Sequence, residues 1–493
     1  MGRCIYPRLN RRFGKTRDGM TRREMLRATI AAAAGLLLSD RLPMGRPAAA
    51  GKRVLVIGAG FSGLAAAHEL LAAGYDVVVA EARNRIGGRV ISFSDFVPGK
   101  IVEGGAELIG SNHPTWVSYK EKFKLEFLDV SEDEDLEFPV MLNGRRLPAD
   151  EAEALWEQID EAFNRLNPEA ERITDAERPW LTPNAAGLDR RTLASWIDDL
   201  DVSVDCKTGM HALMTADAGV SSAWQSLLGV LAMVKGGGVS KFWSDSEVYR
   251  CKGGNQQLAY KLAAALGDRV MLRTPVKRVT IGDQGVAMAL ANGKTVEGDE
   301  LIFTAPPRVW SKIAIEPALP PELMPQMGSN VKFLIALKSA FWRRAELAPD
   351  MFSDGPVHQT WESTDGQSGP GVGMVAFSGG SAADICREWR ATERIENYLK
   401  ELEKVYQGIR PSFIKSRFMD WPADPWVKAS YSFPAPGQVT LQGPLMRKGL
   451  PKLHFAGEYT SYAFPGYMEG ALSSGVAVAT RIAERDGVVK QAA

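Results

Sequence analysis

The chain contains few of the residues that hold metals or form disulfides. Its 493 residues include four cysteines and five histidines. Cys4 stands near the start, and Cys206, Cys251 and Cys386 lie far apart without the spacing of a metal site. The histidines are equally scattered, so the sequence predicts neither a metal centre nor a disulfide framework.

The whole chain has no excess of charge of either sign, and no long apolar run is present after residue 50. The chain has 59 basic and 59 acidic residues, which argues against a nucleic-acid partner. No later stretch approaches the roughly twenty apolar residues that cross a bilayer, so we expect no stable membrane anchor. With 45% hydrophobic residues, no repeats, and roughly 440 residues after position 50, the chain predicts two domains that exchange the polypeptide several times.

The first fifty residues have the pattern of an export signal. The twin arginines Arg22 and Arg23 precede a short apolar run, residues 28–38, and an alanine-rich end at residues 48–50. This order is typical of a bacterial twin-arginine signal peptide, and the run is too short to span a bilayer. The sequence therefore predicts that residues 1–50 are an export signal outside the folded body, and that the protein is periplasmic or secreted. The alternative is a basic tail that contains an alanine-rich helix by chance.

The stretch from Lys52 to Arg89 carries the strongest signal. An apolar run, Val54–Ile57, is typical of a parallel strand buried on both faces. A Gly-X-Gly-X-X-Gly turn follows, then a helical pattern that ends near Gly74, then a second apolar strand that ends on Glu81. In this order the parts indicate a dinucleotide-binding unit, whereas a glycine-rich turn in another α/β protein is the alternative.

Each glycine of this unit has a physical role. Gly58 permits the tight turn, Gly60 lets the backbone approach a pyrophosphate, and Gly63 lets helix and strand pack closely. The N-terminus of the helix offers unpaired N–H groups to the anion. Glu81 is placed to accept a hydrogen bond from a ribose hydroxyl.

The residues after Glu81 indicate which dinucleotide binds. Glu81-Ala82-Arg83 is followed by Gly87-Gly88-Arg89, which resembles the corresponding extension of FAD-dependent amine oxidases. The segment 101–110 resembles the second flavin-contacting segment of that family. Residues 466–471, Gly-Tyr-Met-Glu-Gly-Ala, match the monoamine oxidase pattern residue for residue. The resemblance extends over most of residues 51–485 and includes the L-amino acid oxidases.

The resemblance implies an α/β fold in which a Rossmann-like FAD-binding domain is interleaved with a substrate domain. The substrate domain is expected to combine a mixed sheet with a helical part. The expected division is a signal peptide at 1–50, FAD-binding segments at 51–110, 246–310 and 449–493, and substrate segments at 111–245 (helical) and 311–448.

The expected cofactor is noncovalently bound FAD. Ser430 stands where the mammalian monoamine oxidases have a cysteine that is thioether-linked to the flavin, and serine cannot form that bond. The residues that the motifs and the resemblance place at the cofactor are Gly58, Gly60, Phe61, Ser62, Gly63, Glu81, Ala82, Arg83, Gly88, Arg89, Gly105, Ala106, Glu107, Val276, Gly457, Glu458, Tyr467 and Met468.

Lys332 is the first candidate catalytic residue. It lies in an otherwise apolar strand pattern, residues 330–337, where an ammonium group costs several kcal/mol unless it has a partner. It precedes Trp342 by the ten residues that the family shows, and the resemblance implies that it holds a water against the flavin N5. The alternative is a lysine on an edge strand that reaches solvent.

Two tyrosines complete the predicted catalytic set. Tyr467 by its motif, and Tyr431 by its spacing from Trp421, match the two aromatic rings that flank the amine in monoamine oxidases. The electron-rich ring faces guide the substrate nitrogen. Ordinary core tyrosines are the alternative.

Glu107 is a candidate substrate-binding residue. The corresponding segment lines the cavity in relatives, and a carboxylate there would bind a cationic group at the far end of a substrate. A solvent-exposed glutamate is the alternative. No arginine stands in a motif that matches the carboxylate clamp of L-amino acid oxidases, which favours amines.

The predicted activity is oxidative deamination of a primary amine, with O2 as acceptor and an aldehyde, ammonia and hydrogen peroxide as products. The alternatives are an L-amino acid oxidase that gives a 2-oxo acid, a carotenoid-desaturase-like enzyme, and a catalytically silent flavin-binding protein. Lys332 and both tyrosines argue against the desaturase-like enzyme, and Lys332 at its expected spacing argues against the silent protein. The expected partners are the small substrate and O2, and the resemblance is compatible with a homodimer.

Overall fold

The computed structural model describes residues 35–42, 51–131 and 136–489. Most strands lie before residue 104 and after residue 269, and most helices lie between them. The strands of this part are, in order, β1 (Arg53–Ile57), β2 (Asp76–Ala80), β3 (Ser92–Val97), β4 (Lys100–Glu103), β5 (Phe127–Asp129), β6 (Val140–Leu142), β7 (Arg145–Arg146), β8 (Tyr249–Cys251), β9 (Val270–Met271), β10 (Val276–Ile281), β11 (Val286–Leu290), β12 (Thr295–Gly298), β13 (Glu300–Phe303), β14 (Ala314–Glu316), β15 (Asn330–Leu337), β16 (Met351–Ser353), β17 (Gln359–Glu362), β18 (Val372–Gly379), β19 (Phe413–Asp420) and β20 (Leu453–Phe455).

The helices lie mainly between residues 114 and 266 and near the C-terminal end. The α-helices of the described residues are α1 (Phe61–Ala72), α2 (Pro114–Phe123), α3 (Ala149–Asn164), α4 (Asn167–Glu171), α5 (Ala185–Arg190), α6 (Leu193–Asp198), α7 (Val204–Ala218), α8 (Leu227–Gly236), α9 (Ser240–Asp245), α10 (Gln256–Leu266), α11 (Gly380–Glu388), α12 (Arg394–Glu403), α13 (Ile409–Ser412), α14 (Gln438–Lys448) and α15 (Met468–Arg485).

A five-stranded sheet in the order β20-β13-β1-β2-β9 has all its neighbours parallel. Val54 and Val56 of β1 pack on the side of α1, α10 and α15. Leu55 and Ile57 pack on the opposite side, against the strands around β11. The predicted double burial of this strand is therefore confirmed, because helices cover one face and a second sheet covers the other.

Residues 270–281 form two short strands that belong to different sheets. β9 joins the parallel sheet, whereas β10 pairs with β11 and β14 in a separate four-stranded sheet, β12-β11-β10-β14. Arg273, with φ of 53°, precedes Thr274 and Pro275 at the break. A left-handed residue and a proline without an N–H donor both end a ladder of hydrogen bonds, so β9 and β10 are separate strands.

The third sheet has seven strands in the order β19-β15-β18-β17-β16-β6-β7. β15 lies between β18 and β19, and all eight of its residues are buried, as the sequence predicts. β6 and β7 come from the region expected to be helical. They flank Asn143 and Gly144, whose φ angles of 53° and 73° suit a tight hairpin turn, and this dipeptide was the signal for them in the sequence.

Residues 35–42 pack against the folded body, in contrast to the expectation that all of residues 1–50 lies outside it. Leu37 and Leu38 are fully buried at the start of a 3-10 turn. The Ser39 amide donates to Glu69 Oε2 at 2.7 Å, and Arg41 forms an ion pair with Glu484 at 3.0 Å. The rest of the predicted leader, including the twin arginines, lies outside the described residues.

Residues 35–42, 51–131 and 136–489 bear on a possible membrane span and on a possible metal site. None of the helices there is both long enough and apolar enough to cross a membrane. In the same ranges no group of three or more histidine, cysteine, aspartate and glutamate side chains has the arrangement of a metal site. Cys206, Cys251 and Cys386 are buried free thiols.

Candidate active site

A cavity of about 530 Å³ extends from the carboxyl ends of β1 and β2 to the seven-stranded sheet. It collects residues from sequence segments more than 400 positions apart. The predicted site residues on its wall are Gly58, Gly60, Phe61, Ser62, Glu81, Ala82, Arg83, Gly88, Arg89, Gly105, Ala106, Val276, Lys332, Tyr431, Gly457, Glu458, Tyr467 and Met468, together with Ser430.

The glycines at the start of α1 form a backbone cradle. Gly58 has φ of +106°, and a Cβ on it would lie 2.5 Å from Thr304 Oγ1. A Cβ on Gly63 would lie 2.0 Å from the Gly58 carbonyl oxygen, so this glycine is required by packing beneath the cavity wall. Gly60 is different, because its Cβ would meet nothing closer than 3.9 Å and would occupy cavity space.

Two helix N-termini border the cavity. α1 begins at Phe61 after Gly60, and α15 begins at Met468 after Tyr467, and neither has a side-chain cap. Uncapped N-terminal N–H groups and the positive end of the helix dipole favour an anion or an electron-rich ligand atom. This arrangement fits a pyrophosphate at α1.

Glu81 follows β2 and is 6% exposed. Its Oε2 accepts from the Ala59 amide at 2.7 Å, and its Oε1 accepts from the Arg83 amide at 2.8 Å. These bonds hold the carboxylate at the cavity wall while each oxygen keeps a further acceptor position for a ribose hydroxyl.

The two arginines of the cavity wall have acidic partners. Arg83 binds Asp424 through two hydrogen bonds of 2.8 and 2.6 Å. Arg89 donates to Glu458 Oε1 at 2.8 Å and to the Ser430 carbonyl at 2.8 Å. Both arginines therefore connect segments of the cavity wall, and the charge of each guanidinium is paired with a carboxylate.

Lys332 is buried in a central strand, so the alternative of an edge lysine that reaches solvent is wrong. Its Nζ donates to Glu107 Oε2 at 2.7 Å and lies 5.3 Å from the centre of the Trp361 ring. Arg250 binds the other oxygen of Glu107 at 2.8 Å and also pairs with Asp365. Lys332 thus lines the cavity and belongs at the same time to a buried network of charged side chains.

Glu107 differs from both expectations for it. It is 1% exposed, so it is not a surface glutamate, and it is absent from the cavity wall that Gly105 and Ala106 help to form. Its carboxylate accepts from Lys332, Arg250 and the Trp361 indole N–H, the last at 2.9 Å. The position predicted for the cationic end of a substrate is occupied by side chains of the protein itself.

Tyr431 and Tyr467 both reach the cavity wall and are mostly buried. The Tyr431 hydroxyl donates to the Asp217 carbonyl at 2.7 Å, which fixes the direction of its ring. The Tyr467 ring packs edge-on against His113, with ring centres 5.2 Å apart. Burial lowers the pKa of His113 to about 3, so a neutral ring supports Tyr467.

Sequence reasoning missed Arg250, Trp361 and Glu469. Arg250 stands between Tyr249 and Cys251, and an arginine between two residues that are often buried was a signal for a buried charge. Glu469 accepts from the Thr115 and Trp116 amides at 2.8 and 2.9 Å and so caps α2. This contact explains the glutamate of the Gly-Tyr-Met-Glu-Gly-Ala motif.

Arg250 stays charged in the interior because acidic side chains lie next to it. Burial opposes the charge of Arg250, but Asp365 and Glu107 keep the pKa of its guanidinium above the usual range. Glu103, four residues before Glu107, accepts from the Asn255 amide and from the Ser92 hydroxyl, both at 2.8 Å. Burial raises the pKa of Glu103 to about 7.

The parallel sheet, the glycine cradle and the acid after β2 define a dinucleotide-binding α/β protein with a buried reaction chamber beside the nucleotide site. A family model described as flavin containing amine oxidoreductase matches residues 61–483. The match spans most of the chain, and the protein therefore belongs to that family, whose members are oxidoreductases that use a flavin.

Curated relatives and solved structures agree with this assignment. The chain is 26% identical to an L-amino acid dehydrogenase of Synechocystis sp., with 87% of this chain and 94% of that protein covered. It is 28% identical to the flavin-containing amine oxidase B of Homo sapiens, with 89% and 87% covered. A structure of wild-type putrescine oxidase bound to putrescine superposes with a TM-score of 0.78 at 25% identity and covers 87% of this chain and 98% of that one. The predicted fold class is confirmed, while the domain boundaries stay a prediction.

Proposed function

We propose that the protein is an FAD-dependent amine oxidase that deaminates a primary amine. A hydride equivalent leaves the amine carbon and a proton leaves its nitrogen, which gives an imine that water converts to an aldehyde and ammonia. When bound, FAD would supply the two-electron redox chemistry that couples this oxidation to the reduction of O2 to hydrogen peroxide. The protein residues bind, orient and shield the amine.

The observation that carries this proposal is the composition of the cavity wall. Tyr431 and Tyr467 offer ring faces to a neutral amine nitrogen, and Lys332 brings one ammonium group to the same cavity. Lys332 is proposed to hold a water molecule beside the reacting atoms. The largely apolar wall excludes bulk water, which favours transfer from the neutral form of the amine.

The partners of the wall arginines favour amines over amino acids. Among the described residues that line the cavity, Arg83 and Arg89 are the arginines, and both bind acidic side chains. A substrate carboxylate would be buried without a guanidinium partner, at a cost of several kcal/mol. Human amine oxidase B and putrescine oxidase, by their names, act on amines.

The test compares an amine with the amino acid of the same side chain. Tyramine with L-tyrosine and agmatine with L-arginine are the two pairs, assayed by hydrogen peroxide release and by anaerobic loss of the oxidised flavin absorbance. We expect kcat/KM to favour each amine by about a hundredfold or more. The anaerobic assay detects substrates even if O2 is a poor acceptor.

One observation favours a second candidate, the oxidation of an L-amino acid to a 2-oxo acid. The likeness to an L-amino acid dehydrogenase extends over 87% of this chain. On this alternative, a cation of the wall such as Lys332 would take the substrate carboxylate. Faster flavin reduction by the amino acid in both pairs would establish this candidate and contradict the first.

We also propose that the enzyme is exported by the twin-arginine route and acts outside the bacterial cytoplasm. The sequence around Arg22 and Arg23 supports this proposal. The double variant Arg22→Lys/Arg23→Lys should accumulate in the cytoplasm, because the guanidinium fork is not replaced by an ammonium group at a recognition site. Fractionation of cells that express each form measures this, and an unchanged distribution would contradict export.

A further inference from the structure

Glu107 lies behind the cavity wall with both carboxylate oxygens bound. Lys332 Nζ donates to Oε2 at 2.7 Å, and the Trp361 indole N–H donates to Oε1 at 2.9 Å. Arg250 reaches Oε1 as well, through its Nε at 3.0 Å. All four residues are at most 4% exposed, so bulk water has little access to these bonds.

The charges of this cluster are arranged so that Glu107 faces two cations. Arg250 is shared, because it also pairs with Asp365 and donates to the Glu362 carbonyl at 2.9 Å. Within the described part of the chain, Glu107 is the one acid that hydrogen-bonds to Lys332, whose Nζ otherwise faces the ring of Trp361. Within this cluster, the direction of the lysine ammonium group therefore depends on one carboxylate.

The position of Glu107 along the chain joins this cluster to the cofactor cavity. Gly105 and Ala106 form part of the wall, and the next residue turns its side chain to Lys332. A Cβ on Gly105 would lie 1.8 Å from the Arg89 carbonyl oxygen, so the backbone at Gly105 packs directly against the backbone at Arg89. The same backbone segment thus sets the cavity wall and the anchor of the lysine.

We infer that Glu107 is a positioning residue that holds the Lys332 ammonium group at the cavity wall, with Arg250 and Trp361 fixing the carboxylate. It does not bind the substrate. The catalytic part of this inference rests on the proposed amine oxidation, whereas the anchoring of Lys332 is a property of the protein alone.

A double-variant cycle tests the inference. Glu107→Gln, Lys332→Met and the combined variant are compared with the unchanged protein for kcat, KM and flavin reduction by tyramine and agmatine. We expect Glu107→Gln to lower kcat about tenfold or more for both amines, because a small displacement of a catalytic group costs this much. In the Lys332→Met background, Glu107→Gln should change kcat less than about twofold, because the group it positions is gone.

Agmatine and tyramine separate the two roles of Glu107. A substrate-binding carboxylate would raise KM for agmatine alone and leave kcat for tyramine unchanged, and this result would overturn the inference. If the loss of kcat in the combined variant equals the product of the losses in the two single variants, the residues act independently, and this result would also overturn the inference. Glu107→Asp should recover part of the lost kcat, since the charge is kept at a shorter reach.

A readout without any amine keeps the inference separate from the proposed function. Thermal unfolding of the four proteins should show a smaller combined shift than the sum of the single shifts, since Glu107 and Lys332 bind each other. If no amine reduces the flavin, the proposed function fails while this coupling still tests the anchor. Additive unfolding shifts would contradict the anchor itself.

Two further variants serve as controls, one for the loss of a buried carboxyl group and one for a failure of Glu107→Gln to fold. Glu103→Gln changes a buried carboxyl of the same segment that hydrogen-bonds to Ser92 and Asn255 instead of Lys332, and it should lower kcat less than Glu107→Gln does. Trp361→Phe keeps the ring beside Lys332 but removes the N–H that holds Glu107. If Glu107→Gln does not fold, Trp361→Phe should still lower kcat in the same direction, and an unchanged kcat would count against the inference.

Discussion

The Ser430 hydroxyl donates a hydrogen bond to Asn330 Oδ1 at 2.6 Å, at the wall of the cofactor cavity. Asn330 in turn donates from Nδ2 to the Ala216 carbonyl at 2.8 Å, which orients its amide. The serine side chain is therefore a hydrogen-bonded part of the wall. It has neither the sulfur atom nor a free direction for a thioether link to a flavin.

This contact leads to a prediction about the cofactor. FAD should be released from the purified yellow protein by acid or by heat, because no covalent bond is available at Ser430. Denaturing gel electrophoresis with detection of flavin fluorescence checks this. Fluorescence that stays with the polypeptide would contradict noncovalent binding.

Two glycines of the α1 cradle should respond differently to alanine. Gly60→Ala adds a methyl group with no neighbour closer than 3.9 Å, at φ of −76°, so the apoprotein should keep its stability. The methyl occupies cavity space that a pyrophosphate needs, and FAD affinity should fall at least about tenfold, or ~1.4 kcal/mol. Titration of the apoprotein with FAD and its thermal unfolding measure both effects.

Gly63→Ala is the matched comparison for Gly60→Ala. Its methyl would lie 2.0 Å from the Gly58 carbonyl oxygen, a backbone atom that cannot move aside. We expect a loss of at least about 3 kcal/mol in the free energy of unfolding. Equal stability of the two variants would show that the cradle is not packed as described.

Stability should fall with rising pH through Glu469. Burial raises the pKa of its carboxyl from 4.5 to about 7, although the Thr115 and Trp116 amides favour the ionised form. Because the folded protein binds this proton more tightly than the unfolded chain, the stabilisation is complete below about pH 4.5 and is lost as the pH rises through 7. The full effect is on the order of 3 kcal/mol.

Glu469→Gln removes this proton linkage and provides the comparison. The advantage in unfolding temperature of the unchanged protein over the variant should decrease between pH 5 and pH 8. Thermal unfolding in buffers of equal ionic strength measures it. A difference that stays constant over this range would contradict a raised pKa.

The segment 35–42 should stabilise the folded protein. A chain that starts at residue 43 loses the buried side chains of Leu37 and Leu38, each of which contributes about 2 kcal/mol. It also leaves Glu69 without the Ser39 amide. We expect a lower unfolding temperature than for a chain that starts at residue 35, which keeps this contact. Equal unfolding temperatures would show that the contact adds no stability.

The sequence by itself determined the elements whose signals are local. The run before Gly58 predicted a strand buried on both faces, and a lysine within residues 330–337 predicted a polar group in a buried strand. These features follow from the periodicity of neighbouring residues and from short glycine motifs. The break at Pro275 and the hairpin at Asn143 had local signals too, which are a proline without an N–H donor and an Asn-Gly dipeptide.

Only the tertiary structure decided which groups surround Lys332. Glu107 and Lys332 are 225 residues apart, and Glu107 and Arg250 are 143 apart. No local pattern relates them, because their contact arises where the loop after β4 meets two strands from other parts of the chain. A lone glutamate in the sequence was therefore assigned to the substrate. In the folded protein two buried cations compensate the cost of removing its charge from water, and its place in the site follows from that compensation.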